Sequence, residues 1–297
     1  MHCAMWTRLM LFLMKRLPSG FCEWLCRPAA VLFYGFLSPQ RRVVQRNIAA
    51  LHPHLDAWSR RAMGISLFHQ FALTYLDRLR HLHFKTPFSW ELPDESLLRQ
   101  MQGETGGVLV FTAHSGNYDV GAALFAEKFG RPVHIVRVPE RTAELQDIRE
   151  GELRSVEKCQ SMLHVHYNTT ADAHLGIELC RILQQGEVVA VQGDRVVMDV
   201  SSITAVHDDV EFTFPRGPLI LAEVTRSPCY PIFLSRTGSC RYRIHVGQPF
   251  VKRGEALDAA QLAARWLAVL HPFLLLHTDQ WFVFEPVVRR IHEGPGA

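Results

Sequence analysis

The chain has 297 residues, of which 48% are hydrophobic and 21% are charged. This composition excludes an intrinsically disordered protein and allows one large buried core with an added segment. The formal net charge is only +3. The seven cysteines are scattered with no Cys-x-x-Cys pair. This pattern predicts that the protein lies in a reducing compartment and has no cysteine-based structural zinc site.

The positive charge is concentrated at the beginning of the chain. Residues 1–61 carry nine lysines and arginines against Glu23 and Asp56, interleaved with many aromatic and aliphatic side chains. No uncharged run there reaches the roughly 18 to 20 residues that span a bilayer. We predict that residues 1–87 form membrane-associated helices that lie in the interface, with apolar side chains toward the acyl chains and cations toward anionic headgroups.

Three alternatives are open for this segment. A cleavable signal peptide is disfavoured because no small-residue cleavage site follows Leu17 and because Lys15 and Arg16 come after the apolar run. A helical hairpin packed on the protein body also explains the pattern. Nucleic-acid binding fits less well, since the apolar content between the charges is too high for a surface that tracks phosphates.

Apolar residues recur at helical spacing in Arg42–Leu51 and Ile65–Leu82, and core packing explains both helices. From about Phe88 strands and helices alternate, which predicts that residues 88–297 form an α/β layered domain with a central mixed, largely parallel sheet flanked by helices. The predicted strands are Gly107–Phe111, Val133–Val138, Ser161–Tyr167 and Glu187–Gln192. The rest of the sheet region consists of Phe212–Phe214, Pro218–Thr225, Tyr230–Ser235 and Tyr242–Val246. Thr170 is predicted to cap a helix that ends at Gly186, and a further helix over Asp258–Leu276 is predicted to be interrupted by Pro272.

A His-x4-Asp pair, His114 and Asp119, stands where the first of these strands gives way to a helix. Residues five apart on a continuous helix point about 140° away from each other, so a direct contact requires His114 to lie in the turn before the helix. Asp119, in the first helical turn, can then fold back onto one imidazole nitrogen and leave the other as a general base. A chance pairing is the alternative, because the chain has 16 histidines and Asp119 also suits a helix start.

The residues between the pair predict a site for a negatively charged group. Asn117 is a suitable N-cap, and Ser115, Gly116 and Asn117 are expected to leave backbone N–H groups free to hold a phosphate or a developing oxyanion. The Ser115-Gly116 step is not part of a Gly-x-Ser-x-Gly motif, which argues against a hydrolase with a nucleophile elbow.

Further candidates stand at strand ends, where the ligand sites of open α/β sheets lie. Arg137 ends a strand and is predicted to meet an anionic substrate or an oxyanion, with a surface salt bridge as the alternative. Asp194 and Arg195 follow a later strand and are assigned to substrate binding, although adjacent opposite charges often pair with neighbours. The segment Phe214–Pro218 is predicted to open a helix, where Gly217 permits close approach of a ligand; a helix start without a binding role is the alternative.

His164 and His166 alternate along a predicted strand, so both side chains face one side and could bind a metal. No matching third ligand accompanies them in the sequence. We therefore predict no metal and no cofactor.

The ordered set of motifs resembles that of the bacterial lipid A late acyltransferase family, a branch of the lysophospholipid acyltransferase superfamily. The resemblance covers nearly the whole chain, beginning with its apolar, arginine-bearing start. The matching segments are residues 41–48 (RRVVQRNI), 112–119 (TAHSGNYD), 193–195 (GDR), 214–219 (FPRGPL), 231–233 (PIF) and 279–282 (DQWF).

The resemblance implies transfer of a fatty acyl chain from a thioester of acyl carrier protein, or of CoA, to a hydroxyl on a lipid at the cytoplasmic face of the bacterial inner membrane. It implies that His114 is the general base, that Asp119 is its orienting partner and that Arg137 is the arginine found at a strand end in the family. The implied partners are the donor, a lipid acceptor and the membrane surface, with no nucleic acid, and the protein would be peripheral or monotopic.

Two positions depart from the family patterns. Typical lipid A enzymes have glutamate where this chain has Asp119, and the general glycerolipid enzymes have glutamate where Arg216 stands. Sequences with aspartate in the pair and a Gly-Asp-Arg element resemble acyltransferases that modify other bacterial lipids or lipid-linked pigments, so the acceptor stays open. The alternatives to a membrane-associated O-acyltransferase are a thioesterase or hydrolase that uses the same pair on water, and a non-catalytic peripheral protein that binds lipid.

Overall fold

The structure is a computed structural model that describes residues 4–138, 162–168, 174–196 and 200–291. In these residues helices cover both faces of a seven-stranded sheet, and a second sheet has three strands. The helices are α1 (Ala4–Arg16), α2 (Ser19–Phe36), α3 (Ser38–Leu51), α4 (Ala57–Phe84), α5 (Glu95–Gln102), α6 (Tyr118–Phe129), α7 (Leu175–Gln184), α8 (Arg216–Thr225) and α9 (Ala259–His277), followed by a 3₁₀ turn at Thr278–Gln280. The strands are β1 (Ser89–Glu91), β2 (Val108–Thr112), β3 (Val133–Arg137), β4 (Leu163–Tyr167), β5 (Val188–Gln192), β6 (Ser202–His207), β7 (Val210–Pro215), β8 (Cys229–Gly238), β9 (Arg241–Val246) and β10 (Val288–Arg290).

The strands of the large sheet follow the order β1-β9-β8-β2-β5-β3-β4, and the small sheet follows the order β10-β7-β6. Neighbouring strands of the large sheet are parallel apart from β8 and β9, which form an antiparallel pair. The predicted fold class, a mixed and largely parallel sheet flanked by helices, is therefore confirmed. The central strands β2 and β5 are direct neighbours, so their carboxyl ends lie together at the edge where ligand sites form in such sheets.

The alternation of side chains along β2 supplies both halves of the core. Leu109 and Phe111 face the side covered by α7, α8 and α9, whereas Val108 and Val110 face the side covered by α5 and α6. All four residues are at most 3% exposed. A strand that is apolar on both faces is typical of a parallel sheet buried between two layers of helices, which explains why β2 forms a continuous apolar run in the sequence.

The N-terminal helices α1 to α4 form a helical unit that packs on the α/β region. Asp56 caps α4, because its side chain accepts a hydrogen bond from the Ser59 backbone N–H at 2.7 Å. The apolar cluster between α2, α3 and α4 also contains Phe282 from the C-terminal part of the chain. The proposed division between residues 87 and 88 falls in the connection from α4 to β1, and these contacts join the two units across it.

Among the described residues, one helical segment is long and apolar enough to cross a membrane, and it covers Ala259–Gln280. Half of its most apolar part is buried inside the protein. Trp266, Leu270 and Leu274 of this segment are fully buried in the main core. Packing of α9 in the core therefore accounts for its apolar composition.

Two local predictions are wrong. Residues 218–225, placed in the sheet region, belong to α8, where Leu219 and Ala222 face the core at helical spacing. The helix start predicted within Phe214–Pro218 is confirmed, because α8 begins at Arg216. The last long helix, α9, continues through Pro272 instead of being interrupted there. Burial of the neighbouring leucines outweighs the one backbone hydrogen bond that the proline cannot donate.

The structure leaves two predicted element ends untested. Thr170, the expected cap of a helix, and Ser161, the expected start of a strand, lie outside the described residues. The described part of the helix begins at Leu175, and the strand begins at Leu163.

Candidate active site

The turns after β2 and β5 bring the main candidate residues together. These strands pair in parallel with Thr112 beside Gln192, and the Gly193 backbone N–H donates to the Thr112 carbonyl at 3.0 Å. His114 and Asp194 each stand two residues beyond this last strand pair. Their side chains therefore leave the sheet edge next to each other.

His114 and Asp194 form a doubly hydrogen-bonded pair. The His114 backbone N–H donates to Oδ2 of Asp194 at 2.8 Å, and Nδ1 of the imidazole lies 2.8 Å from Oδ1. His114 is 4% exposed and Asp194 is fully buried. Because a carboxylate only accepts hydrogen bonds, this contact assigns the ring proton to Nδ1 and leaves the lone pair on Nε2.

Trp281 gives Asp194 a third hydrogen bond. The buried indole donates from Nε1–H to Oδ2 of Asp194 at 2.8 Å. Burial alone would raise the pKa of Asp194, but the neighbouring His114 and the three hydrogen bonds hold that pKa below its ordinary value. The carboxylate is therefore charged at neutral pH and can stabilise an imidazolium at His114.

Asp119 lies in the first turn of α6, as the sequence predicts. Its side chain is outside the described part of the chain, so its contact with His114 stays a prediction. Nδ1 of His114 is hydrogen-bonded to Asp194, a residue that was predicted to bind substrate. The structure thus gives an orienting role to an aspartate that is 80 residues from the histidine in the chain.

The backbone N–H groups of Ser115 and Gly116 are not free, contrary to the prediction. The Ser115 N–H donates to the Ala113 carbonyl at 2.8 Å, and the Gly116 N–H donates to the Gln280 carbonyl at 3.3 Å. The second bond fixes the turn to the segment that follows α9. These two amides therefore do not form the expected oxyanion site.

The shape of this turn requires glycine at position 116. Gly116 has a φ of +53°, in the left-handed region, and a Cβ there would lie 2.7 Å from the carbonyl oxygen of Leu234 in β8. Ser115 is fully buried, and its Oγ accepts from the Leu234 N–H at 3.4 Å. Both residues hold the turn, and with it His114, against β8.

Asn117 precedes α6 at the predicted N-cap position, but its side chain makes no capping hydrogen bond. Its Nδ2 instead lies 3.5 Å from the Thr74 carbonyl oxygen and 3.5 Å from the Tyr242 hydroxyl oxygen. Asn117 is buried. It ties the start of α6 to α4 and β9.

A cavity of about 400 Å³ lies beside His114. Arg137, Arg195 and Gly217 line it together with His114 and Tyr118. The structure thus brings four predicted site residues, from four separate segments, around one space of a size that is typical of ligand pockets. Much of the remaining lining is apolar and includes Ile135, Val136, Leu175, Leu179, Val191 and Leu221.

Two arginines contribute positive charge to this cavity. Nη1 of Arg195 lies 3.8 Å from Oε1 of Glu285, and both side chains are partly exposed, so the charge of Arg195 is only partly offset. Arg137 is the last residue of β3. Cations in the lining suit a substrate with anionic groups or a negative charge that develops on a carbonyl oxygen.

His164 and His166 face the same side of β4, as predicted, and both contact a third histidine, while Nδ1 of His166 lies 3.4 Å from Oε1 of Glu178. His134 of β3 stacks on His164, with ring centroids 4.7 Å apart, and its Nδ1 lies 2.9 Å from Nε2 of His166. The other ring nitrogen of His134 is hydrogen-bonded to Glu187. Burial lowers the pKa of His134. Stacking and hydrogen bonding therefore explain this histidine group.

The segment after α9 matches the family pattern at residues 279–282, but no role in the site was predicted for it. Trp281 bonds to Asp194, and the Phe282 N–H donates to the His114 carbonyl at 2.7 Å. The signal in the sequence is the run Asp279–Phe282, where polar and aromatic residues with hydrogen-bonding groups follow an apolar helix. Burying such groups is costly unless they have partners.

All of these site residues lie within the part of the chain that matches a known protein family. No curated protein sequence matches the chain significantly. The family model described as bacterial lipid A biosynthesis acyltransferase matches residues 3–290, which is nearly the whole chain. The chain therefore belongs to the bacterial lipid A biosynthesis acyltransferase family.

Proposed function

We propose that the protein is an O-acyltransferase that moves a fatty acyl chain from a thioester to a hydroxyl group of a lipid or lipid-like acceptor. Membership of the family supports acyl transfer in lipid A biosynthesis. The observation that carries the finer proposal is the His114–Asp194 pair beside a largely apolar cavity with two arginines in its lining.

In this mechanism His114 acts as the general base. Its Nε2 accepts the proton of the acceptor hydroxyl while the hydroxyl oxygen bonds to the thioester carbonyl carbon and the carbonyl π electrons move onto their oxygen. When the tetrahedral intermediate collapses, the C–S bond breaks and the departing sulfur takes the proton from the imidazolium. The products are an ester and a free thiol. Asp194 stays ionised and stabilises the imidazolium.

The negative charge that develops on the carbonyl oxygen needs a donor inside the cavity. Because the Ser115 and Gly116 amides are engaged elsewhere, we assign this role to Arg137 and Arg195. Such a donor is commonly worth about 10²–10³ in rate. For Asp119, a residue of the first turn of α6, we propose a supporting role as a negative charge at the helix start that follows His114 in the chain.

The cavity also suits the proposed substrates. Its apolar lining fits the acyl chain of the donor, and its arginines fit the phosphate of a carrier arm or of a lipid headgroup. A Cβ added at Gly217 would meet nothing within 4 Å, so the start of α8 leaves room for a substrate. We propose acyl carrier protein as the donor carrier, with acyl-CoA as the second thioester of the same chemistry.

The exposed surface of α1 and α2 supports a position on a membrane. Trp24, Leu32 and Phe36 of α2 are 64%, 60% and 81% exposed, and Leu9 and Phe12 of α1 are exposed too. Apolar surface next to many arginines fits helices that lie in the interface of an anionic membrane. We propose that the protein is peripheral or monotopic at the cytoplasmic face of the bacterial inner membrane, where a cytosolic donor meets a lipid acceptor.

Replacing Trp24, Leu32 and Phe36 together with serine is expected to release the protein from vesicles. A large apolar side chain contributes about 1.5–3 kcal/mol when fully buried. Even at partial burial, the loss of three should weaken binding to phosphatidylglycerol vesicles by more than about 100-fold. Vesicle flotation measures the bound fraction. The control is a double serine variant at Ile177 and Val224, which are exposed on α7 and α8. Equal flotation of both variants would contradict the membrane proposal.

The proposed reaction is tested by its dependence on the acceptor. The full chain in micelles receives acyl carrier protein with a labelled acyl chain, with and without a hydroxyl-bearing lipid extract from a bacterial envelope. We expect labelled ester to form at a rate that rises with the acceptor, with one free thiol for each ester. Fatty acid release that ignores the acceptor would instead identify a hydrolase.

A cellular experiment separates catalysis from lipid binding. Lipid mass spectrometry compares cells that carry the wild type with cells that carry His114→Ala. The proposed function requires an acylated lipid that disappears in the variant cells. An unchanged lipid profile would identify a non-catalytic peripheral protein.

A further inference from the structure

A group of two histidines and one aspartate lies outside the active site, at the tip of the β6–β7 hairpin. His207 and Asp208 belong to the hairpin, and His271 reaches it from α9. One nitrogen of each histidine and one carboxylate oxygen all lie within 4.8 Å of one another. We propose that this group binds a divalent transition-metal ion, with Zn²⁺ as the preferred ion.

The distances suit three ligands of a single ion. Nε2 of His207 lies 3.5 Å from Oδ2 of Asp208, and Nδ1 of His271 lies 4.0 Å from the same oxygen. Zinc bonds to imidazole nitrogen and carboxylate oxygen are about 2.0–2.2 Å long, which places two ligand atoms of a tetrahedral site about 3.3 Å apart. Small rotations of the two hairpin side chains, which are partly or largely exposed, close the remaining difference.

His271 is the buried member of the group. It is 4% exposed, its buried Nε2 has no hydrogen-bond partner among the described residues, and its Nδ1 is the nitrogen that lies 4.0 Å from the Asp208 carboxylate. The ring is held by packing, since its centroid lies 5.5 Å from that of His207 and 6.2 Å from that of Phe212, both in edge-on contacts. The distance from Nδ1 to the carboxylate oxygen is too long for a hydrogen bond, so this nitrogen is available to an ion. Metal binding here breaks no existing hydrogen bond of this ring.

The turn of the hairpin directs Asp208 toward α9. His207 pairs with Val210 across the hairpin, so Asp208 and Asp209 form a two-residue turn. Their φ angles are +49° and +62°, which correspond to a type I′ turn, where asparagine and glycine are preferred. Two consecutive non-glycine residues in the left-handed region are strained. A bond from Asp208 to an ion that α9 also holds would offset part of this strain.

The ion would join the hairpin to α9. Two imidazoles and one carboxylate are a ligand set that zinc accepts, with the fourth position left to water. The Asp208 side chain is 74% exposed, so solvent reaches this fourth position. Because β7 leads directly into α8, which contributes Gly217 to the active-site cavity, the ion would steady one wall of that cavity from outside.

Metal binding is tested on the full chain in micelles, purified without a polyhistidine tag and treated with a chelator. Titration with Co²⁺, followed by its visible absorption, and competition with Zn²⁺ should show one ion per chain. His207→Ala and Asp208→Asn change partly or largely exposed side chains and should fold normally. Loss of a residue that only hydrogen-bonds to a metal ligand typically weakens metal binding by about 10–100-fold. Each of these two variants removes a proposed ligand and is expected to weaken Co²⁺ binding by more than that.

Asp209→Asn is the matched control, because it makes the same charge change one residue away and should bind the ion as the wild type does. Zn²⁺ should also raise the thermal unfolding midpoint of the wild type and of Asp209→Asn, but not that of His207→Ala. The proposal is overturned if the wild type binds no Co²⁺ at a one-to-one ratio. It is equally overturned if His207→Ala and Asp208→Asn bind Co²⁺ as tightly as Asp209→Asn.

Discussion

Replacing His114 with alanine is expected to lower the rate of acyl transfer by about 10²–10⁴. The variant keeps the cavity and the arginines in its lining, but it lacks the group that takes the proton from the acceptor hydroxyl. The rate at saturating acceptor, measured with a labelled thioester, gives kcat. An unchanged KM and an unchanged thermal unfolding midpoint would show that binding and folding persist.

Asp194→Asn should cause a loss of the same order, about 10²–10⁴. An amide no longer requires the ring proton to be on Nδ1 of His114, and it cannot stabilise the imidazolium by its charge. Because the two residues act as one unit, the double variant should be no slower than the slower single variant. Multiplied losses in the double variant would show that His114 and Asp194 act separately.

Asp119→Asn distinguishes the two candidate partners of His114. We expect it to reduce kcat less than Asp194→Asn does, because Nδ1 of the imidazole is already bonded to Asp194. The helix start should persist, since asparagine is tolerated in a first helical turn. A larger loss in Asp119→Asn than in Asp194→Asn would make Asp119 the principal partner and contradict the assignment.

Local sequence patterns were sufficient to place the main polar residues at strand ends. The apolar runs of β2, β3 and β5 put His114, Arg137 and Asp194 at or just beyond three carboxyl ends, because short apolar runs bounded by turns identify buried strands. The fold class followed from the alternation of strands and helices. The family was identified from the order of motifs along the chain, and the family model confirms it.

The partner of His114 on Nδ1 could not be predicted in this way. It depends on the order of strands in the sheet, where β5 lies next to β2 although β3 and β4 come between them in the chain. A pair of residues five apart is visible in a short window, whereas a pair 80 apart is not. The same reason applies to Trp281, which reaches Asp194 from beyond α9.

The errors at α8 and at Pro272 arose because the spacing of apolar residues does not by itself determine the secondary structure of a segment. A short apolar run fits a buried strand and a buried helix equally well, and only tertiary packing decides between them. Leu219 and Ala222 are buried against the same core as Trp266 and Leu270 of α9. Burial of these apolar side chains stabilises α8 where a strand was predicted, and it keeps α9 helical across Pro272.

Tertiary contacts also explain why α4 buries a charged residue that the helical spacing of its apolar residues did not identify. Asp77 is fully buried, and its Oδ2 accepts from Nε of Arg236 at 2.8 Å and from the Tyr242 hydroxyl at 3.0 Å. Nη1 of Arg80 lies 3.5 Å from Oδ1. Burial alone would lower the pKa of Arg236, but Asp77 raises it above its ordinary value. A buried ion pair thus joins the N-terminal helical unit to the β8–β9 hairpin.

Replacing Asp77 with alanine is expected to lower the free energy of unfolding by about 3–5 kcal/mol, because it leaves the buried guanidinium of Arg236 without its carboxylate. Urea unfolding in micelles, followed by tryptophan fluorescence, measures the change. Glu91→Gln is the control, since Glu91 accepts two hydrogen bonds from Arg243 in an exposed pair that solvent screens, and it should barely move the urea midpoint. If both variants unfold at the same urea concentration, Arg236 reaches solvent when its partner is lost, and the buried pair does not hold the two units together.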